Sequence, residues 1–172
     1  FTLNNNVTTV FGGRRDFGGT SDLTLAGGVT LHSTVGTGQV VNLDVNDPDT
    51  VVTMAGVISG GGNFIVPTKR GVGTLVWAGN NTFDVRDTIT GSGGGSGQTD
   101  GIRVEGGVLR VAHSNALGTS GTANVHIRAD LTLGAVLEID GSSSAVNLPV
   151  SRNIVPYYAD NYVSFGLYGR NS

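Results

Sequence analysis

Short apolar segments, each closed by glycine or asparagine, recur along the whole chain of 172 residues. The clearest is Thr74–Trp77, which lies between the glycine pair Gly71-x-Gly73 and the run Ala78-Gly79-Asn80-Asn81. Glycine and asparagine adopt left-handed backbone angles at the lowest steric cost, so both flanks predict tight turns. A strand of about four residues buries too little surface to be stable alone. We therefore expect each short strand to stack on neighbours of its own kind.

The side chains of these segments alternate between the two faces of a strand. Ile102 and Val104 occupy one face, and Arg103 and Glu105 occupy the other. The segment 108–111 repeats the pattern, with its second and fourth residues on the apolar side. A period of two is the signature of a strand with one buried face, and no segment shows a sustained helical period. The chain is predicted to be all-β.

Two architectures are compatible with such short strands. In a β-solenoid, each turn of the coil lays its strands on those of the previous turn around a column of apolar side chains. In an antiparallel β-sandwich, the same strands would pair through hairpins. Asn-Gly and Asp-Gly hairpin dipeptides are scarce, since only Asp100-Gly101 and Asp140-Gly141 occur, and this favours the solenoid. Seven or eight turns of coil would give a height of about 35–40 Å.

The amino-acid composition narrows the class of protein further. Glycine accounts for 29 residues, only 13% of the chain is charged, and 38% is hydrophobic, which is the reverse of the balance in disordered chains. The net charge is −3 and the basic residues are scattered, so nucleic acid is not expected as a partner. No apolar run approaches the length of a membrane helix, and no transmembrane segment is predicted. We interpret residues 1–172 as one domain with a flexible Gly/Ser loop at 91–97.

Three blocks of sequence resemble a known repeat. They are I-S-G-G-G-N-F from Ile58, K-R-G-V-G-T-L-V-W-A-G-N-N-T-F from Lys69, and G-I-R-V-E-G-G-V-L-R-V-A-H-S-N-A-L-G from Gly101. Their order over about 51–141 is similar to that of the autotransporter-associated β-strand repeat, although the Gly/Ser loop at 91–97 lengthens the link between two of the blocks. This resemblance implies a right-handed parallel β-helix in a protein secreted to a bacterial surface, where it would act as a stalk or passenger.

Candidate chemical groups are few. The acidic cluster Asp44, Asp47 and Asp49 could bind calcium, but a solvated turn around Pro48 explains it more simply. Glu105 and Glu138 are expected in cross-rung ion pairs with nearby arginines rather than as a catalytic pair. The histidines at 32, 113 and 126 lack ligand spacing, and cysteine is absent from the chain. No catalytic, metal or cofactor site is predicted, and the chain is not expected to be an enzyme.

The two ends of the chain are the strongest functional candidates. A solenoid leaves unpaired strand edges at its first and last turns, and apolar or aromatic residues there would favour association of one copy with another. The aromatic segment 155–168 marks the C-terminal end. The residues predicted to mediate self-association are Phe1, Leu3, Val7, Val10, Phe11, Tyr157, Tyr158, Tyr162, Phe165 and Tyr168.

Three functions follow as hypotheses. The first is a structural subunit, secreted or on a bacterial cell surface, that polymerises end to end into a fibre or surface assembly. The second is a rigid stalk or passenger fragment of an autotransporter-type adhesin, which would contact a host or matrix glycan or protein. The third is a glycan-binding β-helix, which would need an exposed aromatic side chain such as Trp77 or Tyr157 beside two carboxylates.

Overall fold

The computed structural model describes ten ranges of the chain: 1–4, 7–11, 22–32, 39–62, 65–85, 101–119, 124–128, 134–148, 153–156 and 165–170. Within them the strands form three sheets. Sheet one contains β1 (Thr2–Asn4), β4 (Val29–His32), β7 (Ile58–Gly62) and β10 (Asp84–Val85). Sheet two contains β2 (Thr8–Phe11), β5 (Gln39–Val45), β8 (Ile65–Arg70), β11 (Ile102–Val104), β13 (Val125–Ile127) and β15 (Ile154–Pro156). Sheet three contains β3 (Leu23–Leu25), β6 (Val51–Met54), β9 (Thr74–Trp77), β12 (Gly107–Val111), β14 (Ala135–Asp140) and β16 (Phe165–Arg170).

The chain coils through these sheets in a fixed order. The first three strands belong to sheets one, two and three in turn, and the next three strands repeat that order one layer further along. Every strand pairing within the described ranges is parallel. This confirms a parallel β-helix, and the alternative of an antiparallel sandwich is wrong. One turn of the coil is called a rung here, and rung one consists of β1, β2 and β3.

The number of rungs differs from the sequence-based expectation. Sheets two and three each contain six strands in the described ranges, which gives six rungs rather than seven or eight. The connection from β10 to β11 spans 86–101 and includes the Gly/Ser segment 91–97, which lies outside the described residues.

The core is a set of columns that run along the coil axis. In sheet three, Val52, Leu75, Leu109 and Leu137 follow one another in register, and all four side chains are completely buried. Ile102, Val104 and Val111 are buried in the same core, while Arg103 and Arg110 are only partly buried. The predicted inward and outward faces of these strands are therefore confirmed. Burial of apolar side chains in such columns is the main favourable term that holds the short strands together.

The corner that follows the strands of sheet three shows why glycine closes so many strands. A Cβ atom on Gly79 would lie 2.3 Å from the carbonyl oxygen of Gly56, and a Cβ on Gly56 would lie 2.3 Å from that of Gly27. Successive rungs therefore touch through their backbones at this corner. The amide of Ala78 also donates to the carbonyl of Met54 across the same rungs, at 3.0 Å. Only glycine permits so close an approach.

Sheet one has no strand after β10 within the described ranges, but the core continues beyond it. Ala116 and Leu117 in the following rung are completely buried in the core, and Val146 and Leu148 in the rung after that pack against it. The amide of Asn147 donates to Ser114 Oγ at 3.0 Å and ties these two segments together. Irregular backbone thus forms this side of the coil in rungs five and six.

The outer face of sheet three contains an ion pair between rungs. Arg110 and Glu138 are partners in the register of β12 and β14, and Arg110 Nε lies 2.9 Å from Glu138 Oε2. Arg110 Nε also lies 3.9 Å from Asp140 Oδ2. On the neighbouring face, Glu105 lies 3.9 Å from both Arg70 and Arg103. The predicted outer ion pairs of Glu105 and Glu138 are confirmed.

Candidate functional site at the first rung

Rung one forms one end of all three sheets. β1, β2 and β3 are each the outermost strand of their sheet, and each pairs on one side only within the described residues. The outer side of such a strand presents backbone N–H and C=O groups that can pair with another strand. All three open edges face the same end of the coil.

Exposed apolar side chains gather at this end. The large hydrophobic side chains that are exposed in the described ranges are Phe1 (55%), Val7 (47%), Val10 (60%), Leu23 (41%) and Val57 (43%). Phe1 and Val7 directly precede β1 and β2, Val10 and Leu23 lie in β2 and β3, and Val57 lies further along the coil between β6 and β7. Clustered exposed apolar residues beside open strand edges are characteristic of an association surface.

The residues predicted at this end have two different environments. Phe1, Val7 and Val10 are exposed, while Leu3 (5%) and Phe11 (8%) are buried in the core. The side chains of Leu3 and Phe11 therefore belong to the core and not to the exposed surface of this end. Leu23 was not among the predicted residues. Sequence alone did not show that the strand containing Leu23 opens sheet three.

At the other end of the coil, β15 and β16 are the outermost strands of sheets two and three. Phe165 and Tyr168 lie in β16, at the register positions of Ala135 and Glu138. Tyr157, Tyr158 and Tyr162 lie outside the described residues. The two ends therefore share an open parallel edge in sheets two and three.

A buried lysine joins two rungs near the middle of the coil. Lys69 belongs to β8, is completely buried, and is paired in register with Leu43 on one side and Val104 on the other. Its Nζ donates to the carbonyl oxygens of Arg70 at 2.6 Å, Gly71 at 2.9 Å and Gly106 at 2.9 Å. An ammonium group has three N–H donors, and all three are satisfied here.

Burial also changes the protonation of this lysine. It lowers the pKa of Lys69 from 10.5 to about 7, and the negative charge of Asp44 opposes that shift. Burial of Lys69 was not predicted from the sequence, because a charged side chain is not expected within an apolar column. The sequence did contain a sign of this burial. Lys69 lies four residues after the apolar Ile65 in β8, and residues an even number of positions apart in a strand face the same side.

Asn81 makes a second polar connection between rungs. It is completely buried, its Oδ1 accepts a hydrogen bond from the amide of Ile58 at 2.8 Å, and its Nδ2 donates to the carbonyl of Ala116 at 2.7 Å. The neighbouring Asn80 is exposed and accepts a hydrogen bond from Asn115 Nδ2 at 2.8 Å. The structural interpretation of Asn80 and Asn81 as parts of a turn is confirmed.

The remaining chemical candidates are accounted for by local structure. Asp47 Oδ1 accepts a hydrogen bond from the amide of Asp49 at 3.0 Å, which is an Asx turn. Trp77 is buried and packs edge-to-face on Phe83, with ring centroids 5.6 Å apart, so it cannot serve as an exposed sugar-binding aromatic. His113 Nδ1 accepts a hydrogen bond from the amide of Asn115 at 3.0 Å. Within the described ranges no group of three or more histidine, aspartate or glutamate side chains could hold a metal ion.

The fold defines the chain as a parallel β-solenoid. No protein-family model, curated protein or solved structure matches it. In the part of the chain that the structure describes, no helix has the length and apolar character needed to span a membrane. The similarity to the autotransporter-associated repeat remains a prediction from the residues quoted above.

Proposed function

We propose that this chain is a structural subunit without enzymatic activity that associates end to end with further copies of itself. The observation that carries the proposal is the concentration of open strand edges and exposed Phe1, Val7, Val10 and Leu23 at rung one. Pairing of this end with another strand layer would satisfy its backbone groups and remove its apolar side chains from water.

End-to-end contacts of this kind build long assemblies. The two ends of the coil are different surfaces, so a contact between them is heterologous, and a heterologous contact that does not close into a ring gives a filament. The resemblance to the autotransporter-associated repeat supports a secreted or cell-surface location on a bacterium. In that setting a fibre or surface layer is the expected product.

The proposal can be tested with two matched variants. Leu23 and Val57 have nearly equal exposure, but Leu23 lies at the open edge of β3 while Val57 lies at a corner between β6 and β7. Sedimentation velocity over a series of concentrations should show larger species for the wild type and for Val57→Lys. Leu23→Lys should remain monomeric, because it places a charge at the end of an apolar column. A wild type that stays monomeric at every concentration, or Leu23→Lys that assembles like the wild type, would overturn the proposal.

A rigid stalk within an adhesin is the second candidate. The observation that favours it is the pair of buried polar connections, Lys69 to Gly106 and Asn81 to Ala116, which join successive rungs inside the coil. Such bonds resist bending and shear between rungs. Monomeric rods in the sedimentation experiment, with a stability that depends on Lys69 and Asn81, would favour the stalk.

A further inference from the structure

The first and the last strand of sheet three belong to the same series of register partners. In sheet three, one column of register positions runs from the first strand to the last: Leu23, Val52, Leu75, Leu109, Leu137 and Leu167. Leucine therefore occupies both its first and its last position. If a second copy continued the coil beyond β16, its Leu23 would occupy the next position of this column after Leu167.

We infer that copies associate head to tail, with β3 of one copy pairing in parallel and in register with β16 of the next, and β2 pairing likewise with β15. This inference rests on the proposed function and names its contact. Thr24 would then lie beside Tyr168, since Thr24 follows Leu23 and Tyr168 follows Leu167. In sheet two, the column Thr8, Asn42, Thr68, Arg103, His126 and Val155 places Thr8 beside Val155.

The direction of the strands indicates that the first rung of one copy contacts the last rung of a second copy. Every described pairing is parallel, and the strands of all rungs run the same way around the coil. Contact between two first rungs would be isologous, would pair the strands antiparallel, and would close as a dimer. Only contact of rung one with the last rung keeps the parallel order and continues the apolar column.

The match between the ends is unequal across the three sheets. β16 has six residues, whereas β15 has three and ends in Pro156, which has no N–H to donate. Sheet one has no strand in the last two rungs within the described ranges. Pairing of β3 with β16 should therefore contribute most of the contact, and β1 should lie outside it.

Cysteine cross-linking tests this register directly, because the chain contains no cysteine. Neighbouring strands lie about 4.8 Å apart, which is within the Cα separation that a disulfide spans. Thr24→Cys and Tyr168→Cys are made as separate variants and mixed at a concentration where the wild type assembles. After mild oxidation the mixture should give covalent dimers, and either variant alone should give none. Thr8→Cys with Val155→Cys forms an independent second pair.

Thr30→Cys mixed with Tyr168→Cys is the control. Thr30 is exposed but lies in β4 of sheet one, away from the proposed contact, so no cross-link is expected. Dimers from Thr24→Cys alone would indicate a head-to-head contact and overturn the inference. Assembly without a cross-link in either matched pair would show that the register is wrong while end-to-end association stands. Absence of any assembly would overturn both.

Discussion

Lys69 Nζ donates a hydrogen bond to the carbonyl oxygen of Gly106 at 2.9 Å, and this bond joins rungs three and four inside the coil. The same ammonium group binds the carbonyls of Arg70 and Gly71 at the corner that follows β8. A single side chain thus fixes one turn and connects it to the next. The carbonyl oxygens of Arg70, Gly71 and Gly106 therefore all accept hydrogen bonds from this one side chain.

Replacement of Lys69 by methionine should strongly destabilise the fold. The substitution keeps the apolar stem but removes the donor to the buried carbonyl of Gly106 and to the part-buried carbonyls of Arg70 and Gly71, at a cost of about 3 kcal/mol. Urea unfolding measures this loss. Arg70→Met is the matched control, because the Arg70 side chain is 46% exposed and its ion pair with Glu105 is long, at 3.9 Å. That change should alter the free energy of unfolding by no more than about 0.5 kcal/mol.

The stability should also depend on pH through Lys69. Its pKa is about 7 in the folded state and 10.5 when the chain unfolds, so the unfolded state binds the extra proton between these values. Stability should therefore rise with pH above about 7, by up to about 1.4 kcal/mol per pH unit. The difference in unfolding free energy between wild type and Lys69→Met should grow by about 2 kcal/mol from pH 7 to pH 9. A constant difference over this range would contradict the lowered pKa.

Asn81→Ala should destabilise the coil far more than Asn80→Ala. Asn81 is buried and bonds two backbone groups, so its removal leaves the amide of Ile58 and the carbonyl of Ala116 unsatisfied, at a cost of about 2 kcal/mol. Asn80 is exposed, and its loss should cost less than about 0.5 kcal/mol. Thermal unfolding of the two variants makes the comparison. Equal effects would mean that the Asn81 bonds contribute nothing specific.

Leu109→Asp should prevent folding, whereas Val108→Asp should not. Leu109 is completely buried in the column of sheet three, so an aspartate there would be a charge without a partner. Val108 is the adjacent residue, is only partly buried, and faces outward. Circular dichroism melts distinguish the variants. Cooperative unfolding of Leu109→Asp would contradict the inward register of β12.

Sequence alone predicted the parts of the fold that follow from local alternation. Ile102 and Val104 face inward, and Arg110 pairs with Glu138, because period-two patterning fixes the face of each residue. The scarcity of hairpin dipeptides correctly favoured parallel coiling. The described ranges contain six rungs, fewer than the seven or eight expected, because strand patterning fixes the face of each residue but not the length of the connections between strands.

The candidate site was predictable only in part. Phe1, Val7 and Val10 were recognised as an exposed end, but the exposure of Leu23 depends on which strand opens sheet three. The exposure of Leu23 is therefore set by the order of strands in the whole coil and not by the residues next to Leu23. Lys69 was missed for the same reason, because its three carbonyl partners come from the corner after β8 and from Gly106 in the next rung. Trp77 was considered as a surface aromatic and is instead part of the core.

Negative-stain electron microscopy of the purified protein over a concentration series tests the central claim most directly. The six rungs in the described part of the chain, at a strand spacing of about 4.8 Å, give a coil about 29 Å tall. End-to-end assembly predicts filaments with an axial repeat near that value, and their loss in Leu23→Lys but not in Val57→Lys. Short rods of uniform length at every concentration would contradict end-to-end assembly.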